Sequence, residues 1–256
     1  MFNVLSKSGL TKVNDFPQVW EPTIGGKGPQ YHVVFQRVDC EDDCPHELWF
    51  QLLDLSSGSA KLFTKPAPLL QPDPLPGTQW DFRQASLSGD GQVLVCQGRW
   101  FKSADNYGPW RLWIQWLGDP ATTKYAPKTI PHEIPVSTSC GDCEMTDPSL
   151  SPGRDYVIFS GDAGLWPGGG GANVHAQIGV VKVPINEPQF GLSPETLLQL
   201  TNDYGRYYGA PAWQTAPGFG LVEDWVLCER GGVNGASPGP DNPTSIWRTR
   251  IKLLKK

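Results

Sequence analysis

Short apolar runs alternate with turn residues along the whole chain, a pattern that predicts β-strands. Four equivalent runs lie at His32–Gln36, Leu94–Gln97, Val157–Ser160 and Val226–Glu229. A segment with a Pro or small residue followed by Trp or Leu precedes each run, at Phe16–Trp20, Gln84–Ser88, Asp147–Ser151 and Ala210–Gln214. A third strand follows each run, at Leu48–Leu55, Leu112–Leu117, Ala176–Val183 and Ile246–Leu253. The chain is therefore predicted to be all-β.

Two independent positions indicate that these runs form four repeats. In the second strand the equivalent residues are Phe35, Cys96, Phe159 and Cys228, spaced by 61, 63 and 69 residues. In the third strand they are Trp49, Trp113, Gln177 and Trp247, spaced by 64, 64 and 70 residues. Outer strands are expected to end at Phe63–Thr64 and Leu200–Thr201, and near Val136–Thr138. This period predicts a four-bladed β-propeller with four-stranded antiparallel blades.

We expect a single propeller domain over residues 1–256. The blades are predicted at about 15–64, 82–138, 145–201 and 208–256. The chain stops after the third strand of the last repeat, and Val4–Thr11 ends in the Leu-Thr pair expected of an outer strand. Residues 2–11 are therefore expected to supply the outer strand of the last blade, which closes the ring and removes its edges.

The turns between the first and second strands carry a family resemblance. Ser88–Gly91 reads Ser-Gly-Asp-Gly, Ser151–Arg154 reads Ser-Pro-Gly-Arg, and Leu200–Thr201 precedes Pro211–Trp213. Together these motifs resemble the TolB-type, WD-like propeller repeat, although the turns of repeats one and four depart from it. The resemblance implies a propeller fold. It does not choose a function, because TolB-like proteins include envelope scaffolds, lyases and peptidase accessory domains.

Composition narrows the partners. Gly (29) and Pro (25) are frequent, but 11 Trp, 10 Phe and 7 Tyr spread along the chain argue against disorder. The net charge of −5, with no cationic run apart from Lys255–Lys256, argues against nucleic acid. No stretch of eighteen apolar residues is present to span a membrane. No cofactor is expected.

Long loops between strands two and three, and the links between repeats, share one predicted face and hold the candidate site. The predicted ligand-binding residues are Trp80, Asp81, Trp100, Tyr107, Trp110, Trp166, Tyr204, Arg206 and Tyr208. The predicted catalytic residues are Tyr207, Asp203 and Arg83. Flat aromatic rings beside charged groups suit sugar rings or planar organic ligands. Alternatively, the Trp residues seal the loops onto the blades, and Arg83 forms a structural salt bridge with Asp147.

These residues favour a module that binds a small organic molecule or a glycan. One alternative is an enzyme of lyase, isomerase or cyclase type that uses the same pocket through Tyr, Asp and Arg groups. A Ser hydrolase is not expected, because no Gly-x-Ser-x-Gly motif is present. The other alternative is a propeller that binds a protein partner.

The cysteine spacing bears on the compartment. Cys40 and Cys44 form one close pair and Cys140 and Cys143 another, so disulfides are expected. They would place the protein in an oxidising compartment, secreted or periplasmic with its leader removed, with the cytoplasm as the alternative. Free thiols or a four-thiolate zinc site are the other interpretations. Cys96 and Cys228 occupy strand positions where other repeats have Phe, so they are expected to be buried and inert.

Two further features have competing interpretations. His46 and His175 open third strands, and they are either exposed or capping histidines or metal ligands. Gly164–Gly171 lacks the Lys-Ser/Thr of a phosphate-binding loop. It is interpreted as a mobile flap that carries Trp166, or as a plain flexible loop.

Overall fold

The computed structural model confirms an all-β propeller of four antiparallel blades. It describes residues 3–6, 9–12, 19–38, 44–57, 61–62, 67–122, 129–136, 138–151, 153–170, 176–183, 197–202, 204, 206–215, 223–233 and 245–252. The chain divides into two compact units, Met1–Glu133 with Asn186–Gly191 and Ile134–Ile185 with Leu192–Lys256. Nowhere in the described ranges is there a helix long and apolar enough to cross a membrane.

Twelve strands lie in the described residues of the first unit. A hairpin consists of β1 (Asn3–Ser6) and β2 (Gly9–Lys12). Blade 1 is built from β3 (Val19–Gly25), β4 (Gln30–Arg37), β5 (Glu47–Asp54) and β6 (Lys61–Leu62) in that order, with β7 (Ala67–Pro68) also on β5. Blade 2 is built from β8 (Gln79–Leu87), β9 (Val93–Ser103), β11 (Arg111–Trp116) and β12 (His132–Glu133), with β10 (Asn106–Tyr107) folded back on the end of β9.

The described part of the second unit has seven strands and one 3-10 turn, Ala163–Leu165. Blade 3 is built from β13 (Met145–Leu150), β14 (Tyr156–Gly161), β15 (Gln177–Lys182) and β16 (Leu197–Gln199) in that order. The described strands of blade 4 are β17 (Arg206–Thr215), β18 (Glu223–Val233) and β19 (Ser245–Lys252).

The central strands confirm the predicted repeat. The four second runs lie inside β4, β9, β14 and β18, and the third runs match β5, β11, β15 and β19 to within one residue at each end. The predicted outer-strand end Phe63–Thr64 lies outside the described residues, while Leu200–Thr201 directly follows β16.

Three expectations need correction. The outer strand of blade 2 is His132–Glu133, upstream of the predicted Val136–Thr138. The N-terminal segment, expected as one strand, is a hairpin whose described pairing is between β1 and β2, so its expected role in the last blade stays a prediction. Residues assigned to long loops lie on strands, because β8 begins at Gln79, β9 continues to Ser103 and β17 begins at Arg206.

A bulge in each first strand explains why the extensions of β8 and β17 escaped the sequence pattern. The strand pairing shifts register between Trp20 and Thr23, Arg83 and Ser86, Thr146 and Ser149, and Gly209 and Ala212. Each bulge contains one non-glycine residue with positive φ, namely Glu21, Gln84, Asp147 and Ala210, spaced by 63 residues throughout. A bulge breaks the two-residue alternation that identifies a strand. The sequence pattern therefore identifies only one half of each first strand.

Apolar side chains from neighbouring blades form the core within each unit. In the first unit Val34 and Phe50 of blade 1 pack with Phe82, Leu94 and Trp113 of blade 2. In the second unit Ile158 and Val180 of blade 3 pack with Val226 of blade 4. The two blades of a unit are therefore held together mainly by the burial of apolar surface.

Equivalent hydrogen bonds join the blades of each unit. The Leu87 N–H donates to Thr23 Oγ1 (3.2 Å) and the Trp213 N–H donates to Ser149 Oγ (3.4 Å), at positions two repeats apart. The Phe82 N–H donates to the His46 carbonyl (3.1 Å), and the Tyr208 N–H donates to the Ala176 carbonyl (2.8 Å) in the same way. The repeat is thus preserved in the contacts between blades as well as in the strands.

Gly91 allows a close approach of the two blades in the first unit. Its φ is +73°, and an added Cβ would overlap the Gly25 backbone. We expect Gly91→Ala to lower the free energy of unfolding by at least about 2 kcal/mol more than Gly77→Ala. Gly77 is a matched control, since its φ is +75° and no heavy atom lies within 4 Å of an added Cβ. Urea unfolding measures both, and equal losses would show that the blade contact does not need the glycine.

Candidate functional site

The predicted site residues fall into two groups, one in each unit. Trp80, Asp81, Arg83, Trp100, Tyr107 and Trp110 belong to blade 2 of the first unit, and Trp166, Tyr204, Arg206, Tyr207 and Tyr208 belong to the second unit. Asp203, a predicted catalytic residue, lies outside the described residues.

Asp81 is the centre of the first group. Its side chain is 0% exposed, and it accepts hydrogen bonds from Arg83 Nε (2.8 Å) and from Arg99 Nε (3.2 Å). Arg83 Nε contacts Oδ1 of Asp81, and Arg83 Nη2 donates to Oδ2 (2.9 Å), which Arg99 also contacts. The His46 backbone N–H donates to Oδ1 (2.9 Å). A buried carboxylate needs such partners. Asp81 therefore positions the two arginines and offers no exposed surface to a ligand.

Stacking extends this ion pair into a ladder of alternating arginine and aromatic side chains. The Arg99 guanidinium carbon lies 4.0 Å from the Tyr107 ring centroid and 4.1 Å from that of Trp110. The Arg83 guanidinium carbon lies 5.3 Å from the Trp110 centroid. Trp110 is buried, whereas Tyr107 is 46% exposed. The ladder consequently presents one aromatic ring to solvent and fixes it from behind by cation–π contact.

The other two tryptophans of this group serve the packing. Trp80 contacts Phe82 (5.7 Å between ring centroids) and meets Trp113 edge-on (4.9 Å). Trp100 lies against the backbone of Gly108, where an added Cβ would overlap its indole ring. Both are half-buried, which fits the interpretation that these residues seal the strand extensions onto the blade.

A polar chain leads from His46 to the bulge of blade 1. Gln36 donates to Glu21 through its Nε2, so its Oε1 accepts and the His46 Nδ1 donates to it (3.0 Å). Glu21 itself has φ +44°. Burial lowers the pKa of His46, and the Arg83 and Arg99 charges lower it further against an opposing effect of Asp81. His46 is thus a neutral hydrogen-bond donor held inside the unit.

In the second unit Tyr207 lies across the backbone of Gly209, whose added Cβ would overlap the Tyr207 hydroxyl. Burial raises the pKa of Tyr207, and the nearby Asp147 and Glu229 carboxylates raise it further. A phenol in these surroundings keeps its proton at neutral pH. It is therefore suited to donate a hydrogen bond and is a weak general base.

Two of the remaining residues of this group, Trp166 and Tyr208, are buried. Trp166 is 6% exposed, stacks on Phe159 (6.3 Å) and lies over Gly179. Gly164 lies in the 3-10 turn, and the Gly169 N–H donates to the Trp166 carbonyl (3.2 Å), while Gly171 lies outside the described residues. The flap interpretation of this segment stays a prediction. Tyr208 is 5% exposed and packs with Ile178 and Cys228. Neither residue has a ring face on the surface, so both support the blade. The Tyr204 hydroxyl pairs with Gln199 (3.0 Å), and the Arg206 carbonyl accepts from Gln177 (3.0 Å).

The cysteines largely follow their predicted pairing. Cys140 and Cys143 form a disulfide, and Cys44 is disulfide-bonded, while its predicted partner Cys40 lies outside the described residues. A disulfide leaves no thiolates for the zinc interpretation. In the described part of the chain no three His, Cys, Asp or Glu residues are grouped to hold a metal ion, and His175 is not among the described residues.

Arg99 and Gln36 were not predicted, although both contribute to the first group. Arg99 is at a position that the sequence pattern assigned to a long loop, and it lies on β9 opposite Asp81 of β8. The available signal was charge pairing across a hairpin, because opposite charges on facing strand positions attract. Gln36 follows the buried run Val33–Phe35, where a polar residue with 2% exposure indicates a buried hydrogen-bond network.

Comparisons with known proteins establish the fold alone. No protein-family model matches the sequence, and no curated protein matches it. An alpha-L-arabinofuranosidase from Lactobacillus brevis is similar with a TM-score of 0.52 and 11% identity, covering 90% of this chain and 72% of that one. An endo-arabinase from Bacteroides thetaiotaomicron VPI-5482 is similar with a TM-score of 0.50 and 12% identity, covering 95% and 81%.

The thiols can be counted directly. We expect non-reducing denaturation to release two reactive thiols, Cys96 and Cys228, out of six cysteines. In the native protein both should react slowly, because burial raises the pKa of Cys96 and raises that of Cys228 to about 11. A chromogenic thiol reagent measures both states, with Cys228→Ser as the control that lowers the count by one. Four thiols after denaturation would contradict the second disulfide.

The ionisation of His46 reports on the arginine pair. We expect its pKa to lie below 6.5 and to rise partway towards that value in Arg83→Gln, because one repelling charge is removed while burial remains. A depressed pKa means that His46 contributes its stability above pH 6.5 and loses it as the pH falls further. NMR titration of the imidazole, assigned with His46→Gln, measures the shift. Arg37→Gln is the control, and an unchanged pKa in Arg83→Gln would contradict the arrangement.

Proposed function

We propose that this protein binds a carbohydrate through the arginine–aromatic ladder of the first unit. The observation that carries the proposal is the half-exposed Tyr107 ring, which is fixed from behind by Arg99. Arg99 is in turn fixed by the buried Asp81. An aromatic ring that is already ordered loses little conformational entropy when a ligand stacks on it.

Carbohydrates match this chemistry better than planar aromatic metabolites do. A sugar ring presents an apolar face of C–H groups and an edge of hydroxyl groups, which suits one aromatic surface bordered by hydrogen-bond donors. Arg83, which stacks on Trp110 at the other end of the ladder, has a 28% exposed side chain and can supply such donors. The ladder therefore combines a stacking surface with polar groups that can orient the ligand.

The structural neighbours support the same ligand class. The two similar solved structures are named as an arabinofuranosidase and an endo-arabinase, both of which act on carbohydrates by name. Their low identity transfers no residue to this chain. They raise the expectation of a sugar ligand, and the ladder supplies the candidate site.

A lyase, isomerase or cyclase activity and a protein partner gain no support, and the raised pKa of Tyr207 disfavours its use as a base. TolB-type membership and the single-domain blade boundaries also stay proposals. We further propose an oxidising compartment, on the basis of the Cys140–Cys143 disulfide and the bonded Cys44.

Replacement of the exposed ring tests the proposal. We expect Tyr107→Ala to weaken oligosaccharide binding by about fivefold or more, since a stacked ring contributes about 1 kcal/mol or more. Tyr107→Phe should retain most of the affinity because it keeps the ring. Isothermal titration against a panel of neutral and acidic oligosaccharides, including arabinan fragments, gives the dissociation constants.

Leu75→Ala is the matched control, because Leu75 is also exposed in the first unit. Thermal unfolding of each variant verifies that the fold is intact. Two results would count against the site: no oligosaccharide of the panel binds the native protein, or Tyr107→Ala binds as tightly as the native protein does.

A further inference from the structure

The ladder brings two guanidinium groups to a single buried carboxylate. We propose that the sugar bound there is acidic, a uronic acid whose carboxylate is recognised by Arg83 and Arg99. This inference rests on the proposed carbohydrate function and names its substrate class.

Arg83, Arg99 and Asp81 together carry an excess of positive charge. Asp81 neutralises one of the two arginines, which leaves one cationic charge at the site within the described residues. Other acidic side chains of neighbouring strands have different partners: Glu21 accepts from Gln36, and Glu47 accepts from the Trp49 indole (2.9 Å). An incoming carboxylate would balance the charge, whereas a neutral sugar would not.

The two arginines have more N–H donors than Asp81 can use. A guanidinium group has five N–H donors in a planar fork. Arg99 uses its Nε on Asp81, and within the described chain its terminal nitrogens meet no acceptor, although the side chain is only 12% exposed. Arg83 uses its Nε and one terminal nitrogen, on Asp81 and on the Cys44 carbonyl (3.3 Å). Planar carboxylates pair with such forks in a bidentate manner.

The Arg99 donors lie close to the Tyr107 ring. The Arg99 guanidinium carbon is 4.0 Å from the Tyr107 ring centroid, so the donors and the ring border one another. A uronic acid carries its carboxylate directly on the sugar ring. A ligand that contacts Tyr107 is therefore close to Arg99, which shares the Asp81 carboxylate with Arg83.

Four acidic residues precede Cys44 in the sequence, and their carboxylates are candidate competitors of an acidic sugar. Residues 39–43, outside the described residues, include Asp39, Glu41, Asp42 and Asp43 immediately before Cys44. If these carboxylates compete for the arginines, their removal should strengthen the binding of an acidic sugar. A variant with all four changed to Asn or Gln therefore belongs in the test.

The decisive comparison changes the ligand and leaves the protein intact. Isothermal titration is carried out with tetragalacturonate, with its fully methyl-esterified form and with acetate. We expect the acid to bind about 10- to 100-fold more tightly than the ester, because each charge-assisted hydrogen bond is stronger than a neutral one. Acetate should bind far more weakly than either, since it lacks the sugar ring.

Arg83→Gln provides the matched protein test. In this variant Asp81 still pairs with Arg99, so no buried charge is orphaned and the fold should persist, as thermal unfolding verifies. We expect the acid to lose more affinity than the ester, so that the preference for the acid over the ester falls to within about twofold. Arg37→Gln removes an arginine that stacks on Trp49 (4.7 Å) and is not one of the two that pair with Asp81, so this variant should keep the preference.

The outcomes separate this inference from the proposed function. Equal binding of acid and ester by both the native protein and the four-residue variant would overturn the acidic-sugar inference and leave carbohydrate binding standing. Binding of acetate as tight as that of the acid would reduce the site to a simple anion site. Failure of every oligosaccharide to bind would overturn the proposed function itself.

Discussion

One residue with left-handed backbone interrupts the first strand of every blade, and the positions of the functional candidates follow from it. Glu21, Gln84, Asp147 and Ala210 have φ values between 44° and 50° at a constant spacing. A non-glycine residue in this conformation costs about 1 to 3 kcal/mol. The neighbouring strand must therefore hold it in place, and the bonds from Leu87 to Thr23 and from Trp213 to Ser149 anchor the residues just beyond the bulges. Beyond each bulge the side chains change faces, which separates core positions from site positions along one strand.

The second constraint is the burial of Asp81. A carboxylate with no solvent contact is stable only when charged donors surround it, so Arg83 and Arg99 are fixed by the same requirement. The His46 backbone N–H completes the set, and it comes from blade 1, whereas Asp81 belongs to blade 2. The geometry of the ladder consequently depends on the packing of the two blades in the first unit. The candidate site is therefore a product of the packing of the core.

The sequence predicted the repeat and the central strands because their apolar positions alternate without interruption. It did not predict the extensions of β8 and β17, because the bulge in each of these strands shifts the alternation by one residue and makes the strand resemble a loop. The extension of β9 was also missed, and the bulge does not explain it, since the extra residue lies on β8. Aromatic residues were easy to find but hard to assign: Tyr107 is half-exposed, while Trp166 and Tyr208 are buried. Composition does not distinguish these cases, since exposure depends on contacts such as that of Trp166 with Phe159. The cysteine spacing, a purely local signal, predicted the Cys140–Cys143 disulfide correctly.

The extensions also indicate where specific function is added to a repeated frame. The first and second strands of blades 1 and 3 have six to eight residues, whereas those of blades 2 and 4 have nine to eleven. Arginine–aromatic stacking occurs on both longer pairs, with Arg99 beside Tyr107 in blade 2 and Arg230 beside Trp247 (3.9 Å) in blade 4. Asp81 distinguishes the blade 2 extension, because a buried carboxylate fixes two arginines there and thereby orders an exposed ring. The fold is similar to that of solved structures at 11–12% identity, so the blades can be kept while the strand extensions differ. The ligand class is therefore proposed from the extension itself, and its charge from the one arginine that Asp81 does not neutralise.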